Sequence, residues 1–375
     1  MSDVSVETDW MEETKVVLGF SGGIDSAAAA VRLRSEGYDV TALTLDMTGD
    51  GALLDAAYDA ARRLGLRHEV LDVRELFRRE VEEYFGRSYL EGRTPAPCTR
   101  CNTRVKWPSL AAYADSVGAR WIATGHYFRI RTVGGRRYVA RALDARKDQS
   151  YYLWGLAPEL LERVMTPMGD VLKESLPQRP GVRESMGVCF LRDRGCRAWL
   201  EERYGRQSSG EVVGLDGCLL GRHDGVAFYT AGQRRGLSLP AGMAVVSVDA
   251  AANRLVAGPD EALWRRTLWL EACRVTDERE LLTAGGDLRL VIRGVGRNPE
   301  GPLRVEKTAE GYRVGLDDGA WAPAPGQPAV FYLGERVLGG GILCYNNRFA
   351  TLACRIFTLV GTGGPAPWRW PFPDR

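Results

Sequence analysis

One string near the start of the chain, Phe20-Ser21-Gly22-Gly23-Ile24-Asp25-Ser26, constrains the fold more than any other feature. An apolar run from Lys15 to Phe20 precedes it and reads as a buried strand. Asp25 to Glu36 follows and reads as a helix, with Ala27 to Ala30 giving strong propensity. Adjacent glycines let the turn adopt backbone conformations closed to other residues. Small residues let an anion approach the amides, and a helix N-terminus offers unpaired N–H groups and a positive dipole end. Ser21 and Ser26 add hydroxyls. The string suits a pyrophosphate or a nucleotide triphosphate tail. No Gly-Lys-Ser/Thr follows, so it is not a Walker A loop, and it is not the GxGxxG of dinucleotide cofactors. The bland alternative is a tight strand–helix turn capped by Asp25.

A strand feeding a helix in this way belongs to an alternating order, and the next segments continue it. Asp39 to Leu45 and His68 to Val73 read as strands, Leu53 to Leu64 as a helix ending at Gly65. Arg74 to Leu90 reads as a long amphipathic helix and Arg120 to Thr124 as a short strand. Such alternation predicts an α/β, doubly wound parallel sheet. After about Trp199 the texture changes. Glycines recur at 210, 214, 217, 221 and 225, and β-prone segments follow at Met243–Val248, Arg254–Ala257, Leu288–Ile292, Tyr312–Gly315, Ala329–Tyr332 and Arg355–Val360. Turn signals at this spacing predict a small barrel or sandwich. The expected units are 1–204, a small central unit 205–265, a β-barrel 266–360 and a tail 361–375, in which Trp368, Trp370 and Phe372 could dock.

Fifty basic and 48 acidic side chains nearly cancel in the 375 residues, which excludes a polybasic tail protein but allows a local basic groove. No apolar run reaches the ~20 residues of a membrane helix, and the acidic N-terminus shows no secretory signal. A cytoplasmic protein without membrane partners is expected. Eight cysteines do not make a disulfide scaffold. Cys196, Cys218, Cys273, Cys344 and Cys354 read as core packing. Cys98 and Cys101 form a CxxC after two prolines, which fits a redox couple, half a zinc site, or a nucleophile with a neighbour. No second CxxC exists, and His68, His126 and His223 lack ligand spacing. The proline-bent approach argues against a thioredoxin-like couple. Arg100, Arg104 and Lys106 are expected to lower the thiol pKa. Cys189, in Glu184 to Leu191, taken alone reads as a buried core cysteine.

Seven strings taken together resemble the tRNA-specific 2-thiouridylases. They are SGGIDS (21–26), GRTPAPCTRCN (92–102), ATGHYFRI (123–130), KDQSYYLWGL (147–156), SMGVCFL (185–191), YTAGQRRGL (229–237) and PGQPAVFYLGERVLGGGIL (325–343). The glycine loop alone indicates only the PP-loop ATP pyrophosphatase superfamily. The resemblance implies a PP-loop domain, a small central domain and a C-terminal β-barrel. It implies sulfur insertion at C2 of the wobble uridine of tRNAs for lysine, glutamate and glutamine. ATP would adenylate O2, a persulfide on Cys189 would deliver sulfur, and Cys101 would resolve it through a transient disulfide. A cysteine desulfurase or sulfur-relay protein would load Cys189.

By the same resemblance, Phe20, Ser21, Gly22, Gly23, Ile24, Asp25, Ser26, Leu45 and Gly125 would bind ATP, with Asp25 helping to hold Mg²⁺. Ala96, Pro97, Cys98, His126, Lys147, Asp148, Gln149, Arg293 and Gln327 would meet the tRNA, and Arg234 and Arg235 could bind phosphates. The chain departs from the family pattern at Ala96, usually Asn, in a shorter segment after Leu45, in a shortened span from Lys173 to Glu184, and at Arg293-Gly294. Two alternatives stay open. Cys98, Cys101 and Cys189 together could hold a [4Fe–4S] cluster, or a divergent enzyme could thiolate another tRNA or a non-tRNA substrate.

Overall fold

The computed structural model describes residues 13–177, 187–191, 194–294 and 296–345. Its first sheet is five-stranded and parallel, in the order β3-β2-β1-β4-β7. These are β1 (Lys15–Gly19), β2 (Asp39–Asp46), β3 (Arg67–Asp72), β4 (Trp121–Thr124) and β7 (Val164–Met165). Val16, Val17, Leu18, Leu43, Ile122 and Ala123 are all buried. Near-continuous apolar runs are what a strand covered on both faces requires. One face packs on helix α1 (Ile24–Ser35) through Ala29, Ala30 and Leu33. Helix α2 (Gly51–Arg63) covers the same side through Ala57, Ala60 and Ala61, and the Asp50 carboxylate caps it on Ala52 N at 3.1 Å. The other face packs on Trp107 and Leu110.

Two long helices continue the unit, each with an i→i+5 π turn. Helix α3 runs through Arg74–Phe77, a π turn Arg78–Glu82, and Glu83–Leu90. Helix α4 runs through Pro97–Cys101, a π turn Asn102–Lys106, and Trp107–Ser116. The expected alternation is therefore present. An antiparallel hairpin, β5 (Arg129–Val133) and β6 (Arg136–Ala140), was not legible in it.

A four-stranded sheet follows, β10-β11-β8-β9, from β8 (Gly210–Val213), β9 (Leu219–His223), β10 (Met243–Asp249) and β11 (Arg254–Pro259). The third sheet has eight strands. Its main path is β13 (Leu288–Val291), β16 (Pro328–Leu333), β17 (Arg336–Cys344), β12 (Trp264–Val275), β15 (Tyr312–Trp321) and β14 (Leu303–Lys307). The terminal strands β13 and β14 also touch each other, bringing the sheet round a core of Leu268, Leu270, Leu290, Val314, Phe331 and Leu343. Three of these strands, β12, β14 and β17, went unread in the sequence. The expected strand Arg355–Val360 and the tail lie outside the described residues.

The hairpin ties the first unit to the third, because β6 pairs with β17 at Ala140 and Arg336. The KDQSYYLW string completes the tie. Tyr151, Leu153 and Trp154 share one core with Val17 and Trp107 on one side and Val330, Tyr332 and Val337 on the other. The Tyr151 hydroxyl lies 3.1 Å from both the Ile292 and Pro328 carbonyls, and Ser150 Oγ lies 2.9 Å from Tyr332 Oη.

Candidate active site

The glycine loop sits where an open parallel sheet binds ligands, past the carboxyl end of β1 and beside that of β4. Gly22 has φ +73°, and a Cβ there would lie 2.7 Å from Ala57 Cα in α2. Only glycine satisfies both demands. Ser21 Oγ and Ser26 Oγ lie 3.3 Å apart, and Ser26 Oγ also donates to Gly23 O at 3.1 Å. The N-cap position, Gly23, makes no side-chain cap, and Asp25 lies inside the first turn. The bland reading of Asp25 as a cap is therefore wrong. Its Oδ1 instead accepts from Tyr127 Oη at 2.9 Å and from Lys173 Nζ at 2.5 Å. Lys173 arrives from a short 3₁₀ turn far along the chain, a cation that no local motif announced.

Gly125 lies directly over this helix start. A Cβ there would sit 2.8 Å from Ser26 N and 2.9 Å from Asp25 C. Leu45, near the carboxyl end of β2, is half-buried and packs against both neighbouring cores. Beside it Thr44 Oγ1 donates to Phe20 O at 2.7 Å, so it accepts from His68 Nε2 at 2.8 Å.

The cysteine pair corrects two expectations. Although a proline loop leads to it, Pro97–Cys101 is the first turn of α4, with Pro97 at its start, so Cys98 and Cys101 lie on a helix. The positive charges do not set the thiols. Burial raises the Cys101 thiol to about 11, and it also raises Cys98 and Cys189, with Lys106 opposing the rise in each case. Arg100 is turned away: it holds the Glu80 carboxylate at 2.9 Å and lies over the Tyr84 ring. Arg104 is exposed. Cys101 is buried in a core with Phe85, Phe190 and Leu191, against Val188, so it packs on the segment that carries Cys189. Cys98 and Cys189 each show a face to solvent, although the protein packed round their sulfurs still raises both thiols. Cys189 does not read as a core residue in the structure, and Cys218, expected in a core, is exposed too. Cys196, Cys273 and Cys344 are half-buried, and Cys354 lies outside the described residues.

His126 joins the two halves of the site. It follows Gly125, stacks on Trp107 with ring planes 30° apart, and lies 3.4 Å from Lys106 Nζ through Nε2. An ammonium only donates, so Nε2 accepts and the ring proton sits on Nδ1, 2.7 Å from Thr124 Oγ1. Burial and the Lys106 charge hold His126 well below its ordinary pKa, and it stays neutral.

The other expected RNA contacts are held by internal bonds. Asp148 accepts from Ala142 N, Ser150 N and Ser150 Oγ at 3.0, 3.2 and 2.8 Å. Gln149 and Tyr127 exchange two bonds, of 2.8 and 2.9 Å. Lys147 is half-buried beside them. Gln327 Oε1 accepts from Ala324 N at 3.0 Å, and Arg293 donates to Trp321 O and Ala322 O. Arg234 pairs with Asp260 at 2.5 Å, and Arg235 is exposed. Ala96 and Pro97 lead into the cysteine helix, and the central unit and the barrel both grip this approach. Thr94 N donates to Pro325 O, Thr94 Oγ1 lies 2.5 Å from Thr230 Oγ1, and Arg93 pairs with Glu271.

Among the described residues, no three His, Cys, Asp or Glu side chains gather closely enough to hold a metal ion. No described helix is long and apolar enough to cross a membrane.

Comparison with known proteins gives three family matches in chain order. They are a tRNA methyl transferase HUP domain over residues 14–193, a tRNA methyl transferase PRC-barrel domain over 197–259 and an aminomethyltransferase beta-barrel domain over 267–343. The chain is 37% identical over 357 residues to the tRNA-specific 2-thiouridylase MnmA of Cytophaga hutchinsonii, covering 87% of this chain and 96% of that one. The protein of the same name from Amoebophilus asiaticus is 36% identical over 360 residues, covering 88% and 95%. That from Parvibaculum lavamentivorans is 37% identical over 361 residues, covering 88% and 90%.

Proposed function

The chain belongs to the tRNA-specific 2-thiouridylase family, and on that premise we propose that it uses ATP to place sulfur at C2 of the wobble uridine of tRNA. One observation carries the reading. The Thr124-Gly125-His126 turn touches the phosphate loop through Gly125 and the lysine beside the thiols through His126. Nucleotide and sulfur chemistry therefore meet across two consecutive residues. The family descriptions name methyl transfer, but methyl transfer would leave both the phosphate loop and the paired cysteines without a task.

The chemistry needs both halves. A uracil carbonyl is a poor electrophile and its oxygen a poor leaving group. Attack of O2 on the α-phosphorus of ATP expels pyrophosphate and turns O2 into part of an AMP leaving group. The amides at the start of α1, with Ser21 and Ser26, receive the phosphates. Lys173 supplies the cation that the loop itself lacks. Asp25 is the carboxylate that would help hold Mg²⁺ carried by ATP, through Oδ2 because its hydrogen bonds from Tyr127 and Lys173 both fall on Oδ1, and the ion would neutralise phosphate charge.

The terminal sulfur of a Cys189 persulfide then attacks C2. The Cys101 thiolate attacks Cys189 Sγ, the S–S electron pair passes to the sulfur on C2, and AMP departs. The two cysteines end as a disulfide, having given two electrons to the transferred sulfur, and an external thiol reductant restores them. A cysteine desulfurase or relay protein reaches Cys189 because that side chain is exposed. Cys98 needs no role in this scheme. Asp148, Gln149, Arg293 and Gln327 hold the loops that the RNA would meet. The proposed division of labour is catalysis in residues 1–204, with 205–265 and the barrel 266–360 presenting the RNA.

The test is nucleoside mass spectrometry of tRNA from cells lacking the gene, complemented with the wild-type chain or with Cys189→Ser. Wobble 2-thiouridine should return with the first and not the second. Unchanged 2-thiouridine in the deletion strain, with no second thiouridylase gene present, would reject the tRNA assignment and favour another thiolation substrate.

A further inference from the structure

The sulfur steps run through anions, a persulfide and then a thiolate, yet the pocket that holds them is built against charge. Cys101 is 8% exposed among Phe85, Phe190 and Trp199. Around the three thiols, Lys106 is the cation that acts on every one of them. Arg100 is committed to Glu80, Arg104 is exposed, and Glu82 from α3 adds a negative charge that disfavours the Cys189 thiolate.

The local backbone explains why Lys106 can serve. In an α-helix, 3.6 residues per turn put the fifth residue along roughly 140° around the axis. Lys106 would then point away from Cys101. The π turn over Asn102–Lys106 closes i→i+5 instead, which returns Lys106 to the face of Cys101. The backbone N–H of Lys106 also favours the charged form of Cys101. π turns inside α-helices recur at functional sites.

The ammonium has a weak partner in the resting enzyme. It lies 3.4 Å from Nε2 of a neutral histidine, with no carboxylate in that contact. A neutral acceptor is displaced by an anion at small cost, since a hydrogen bond to a charged group is about twice as strong as one between neutral groups.

We propose that Lys106 is the counter-charge of the sulfur site, leaving His126 to hold first the Cys189 persulfide anion and then the attacking Cys101 thiolate. The proposal rests on the thiouridylase reading for its biological meaning, but not for its test. Among the described residues, the groups that face these sulfurs are Lys106 on α4, Glu82 on α3, the other two thiols, Tyr152 beside Cys98, and His126 behind Lys106. Of these only Lys106 favours the anions.

The experiment uses the full chain without tRNA or ATP. Iodoacetamide alkylation of Cys101 and Cys189 is followed by peptide mass spectrometry across pH for wild type, Lys106→Met, Lys106→Gln and Lys106→Arg. Circular dichroism reports folding. In the Met and Gln variants, alkylation of both cysteines at pH 8 should slow on the order of tenfold, the thiolate loss of one pKa unit. The Arg variant should restore most of the rate. Gln can still bond to His126, so it keeps the test intact should Met not fold. Wild-type pH profiles in a folded neutral variant would overturn the proposal. So would a slowing that Arg fails to restore, because the lysine would then act by shape. The thiouridylase reading fails differently, through unchanged tRNA 2-thiouridine with these alkylation shifts still present.

Discussion

At the scale of single residues, the site is governed by close approach and by burial. Gly125 shows the first. A Cβ at this position would meet backbone atoms of Ser26 and Asp25 inside 3 Å, and backbone yields less readily than a side-chain tip. Gly125→Ala should push the turn off the helix start. ATP-dependent pyrophosphate release should fall at least tenfold in a chain that still folds, measured by a coupled pyrophosphate assay with saturating tRNA. Burial shows in Cys101. With its thiol at about 11, only about one molecule in ten thousand carries the thiolate at pH 7. Its folded pKa lies above the free value, so the thiolate fraction grows as pH rises toward 11. Single-turnover resolution of a preloaded persulfide should therefore speed up about tenfold per pH unit between pH 7 and 9. A flat profile would mean that substrate binding rebuilds the thiol environment.

At the scale of elements, helix α4 makes the sulfur site by being irregular. Its π turn inserts one residue relative to an α-helix, and that residue sets which side chains share a face with Cys101. Deleting Thr103 should convert the turn to α geometry and make Lys106 the fourth residue after Cys101, about 40° round the axis and still on its face, with Trp107 onward kept in phase. Sulfur transfer and pyrophosphate release should then stay within a few-fold of wild type with far-ultraviolet dichroism retained, and a loss of sulfur transfer of more than tenfold would show that the i→i+5 closure itself, and not the face it sets, is needed. The pattern of apolar residues could not disclose this, because a π turn preserves hydrophobic spacing on either side and changes only the phase between them. The strand–glycine–helix element was legible for the opposite reason. Its constraint is local, in the positive φ of Gly22 and the short side chains around it.

At the scale of the whole molecule, the three units converge on the approach to the cysteine helix, and the KDQSYYLW segment fastens the first unit to the barrel. Tyr151 is central, its buried hydroxyl placed between the Ile292 and Pro328 carbonyls. Tyr151→Phe leaves those carbonyls without their donor and should destabilise the chain by about 1–3 kcal/mol. The check is a fall in the urea midpoint without a change in slope. A string that looked like an RNA-facing charge cluster followed by aromatics is thus divided. Ser150, Tyr151 and Trp154 are core, and Asp148 and Gln149 brace the turn before them.

The alternating first unit, the β-rich remainder, the phosphate loop and the family were all legible in the order of residues along the chain. Each of these depends on neighbours within a few residues or on strings that survive as strings. What lies beside what is a property of the folded chain. Folding brought Lys173 to Asp25 across 148 positions, placed Lys106 rather than Arg100 at the thiols, raised those thiols where local charge predicted lowering, and exposed Cys218. The reason is physical. Charge and burial act through space, and the separation along the chain does not report the distance over which they act.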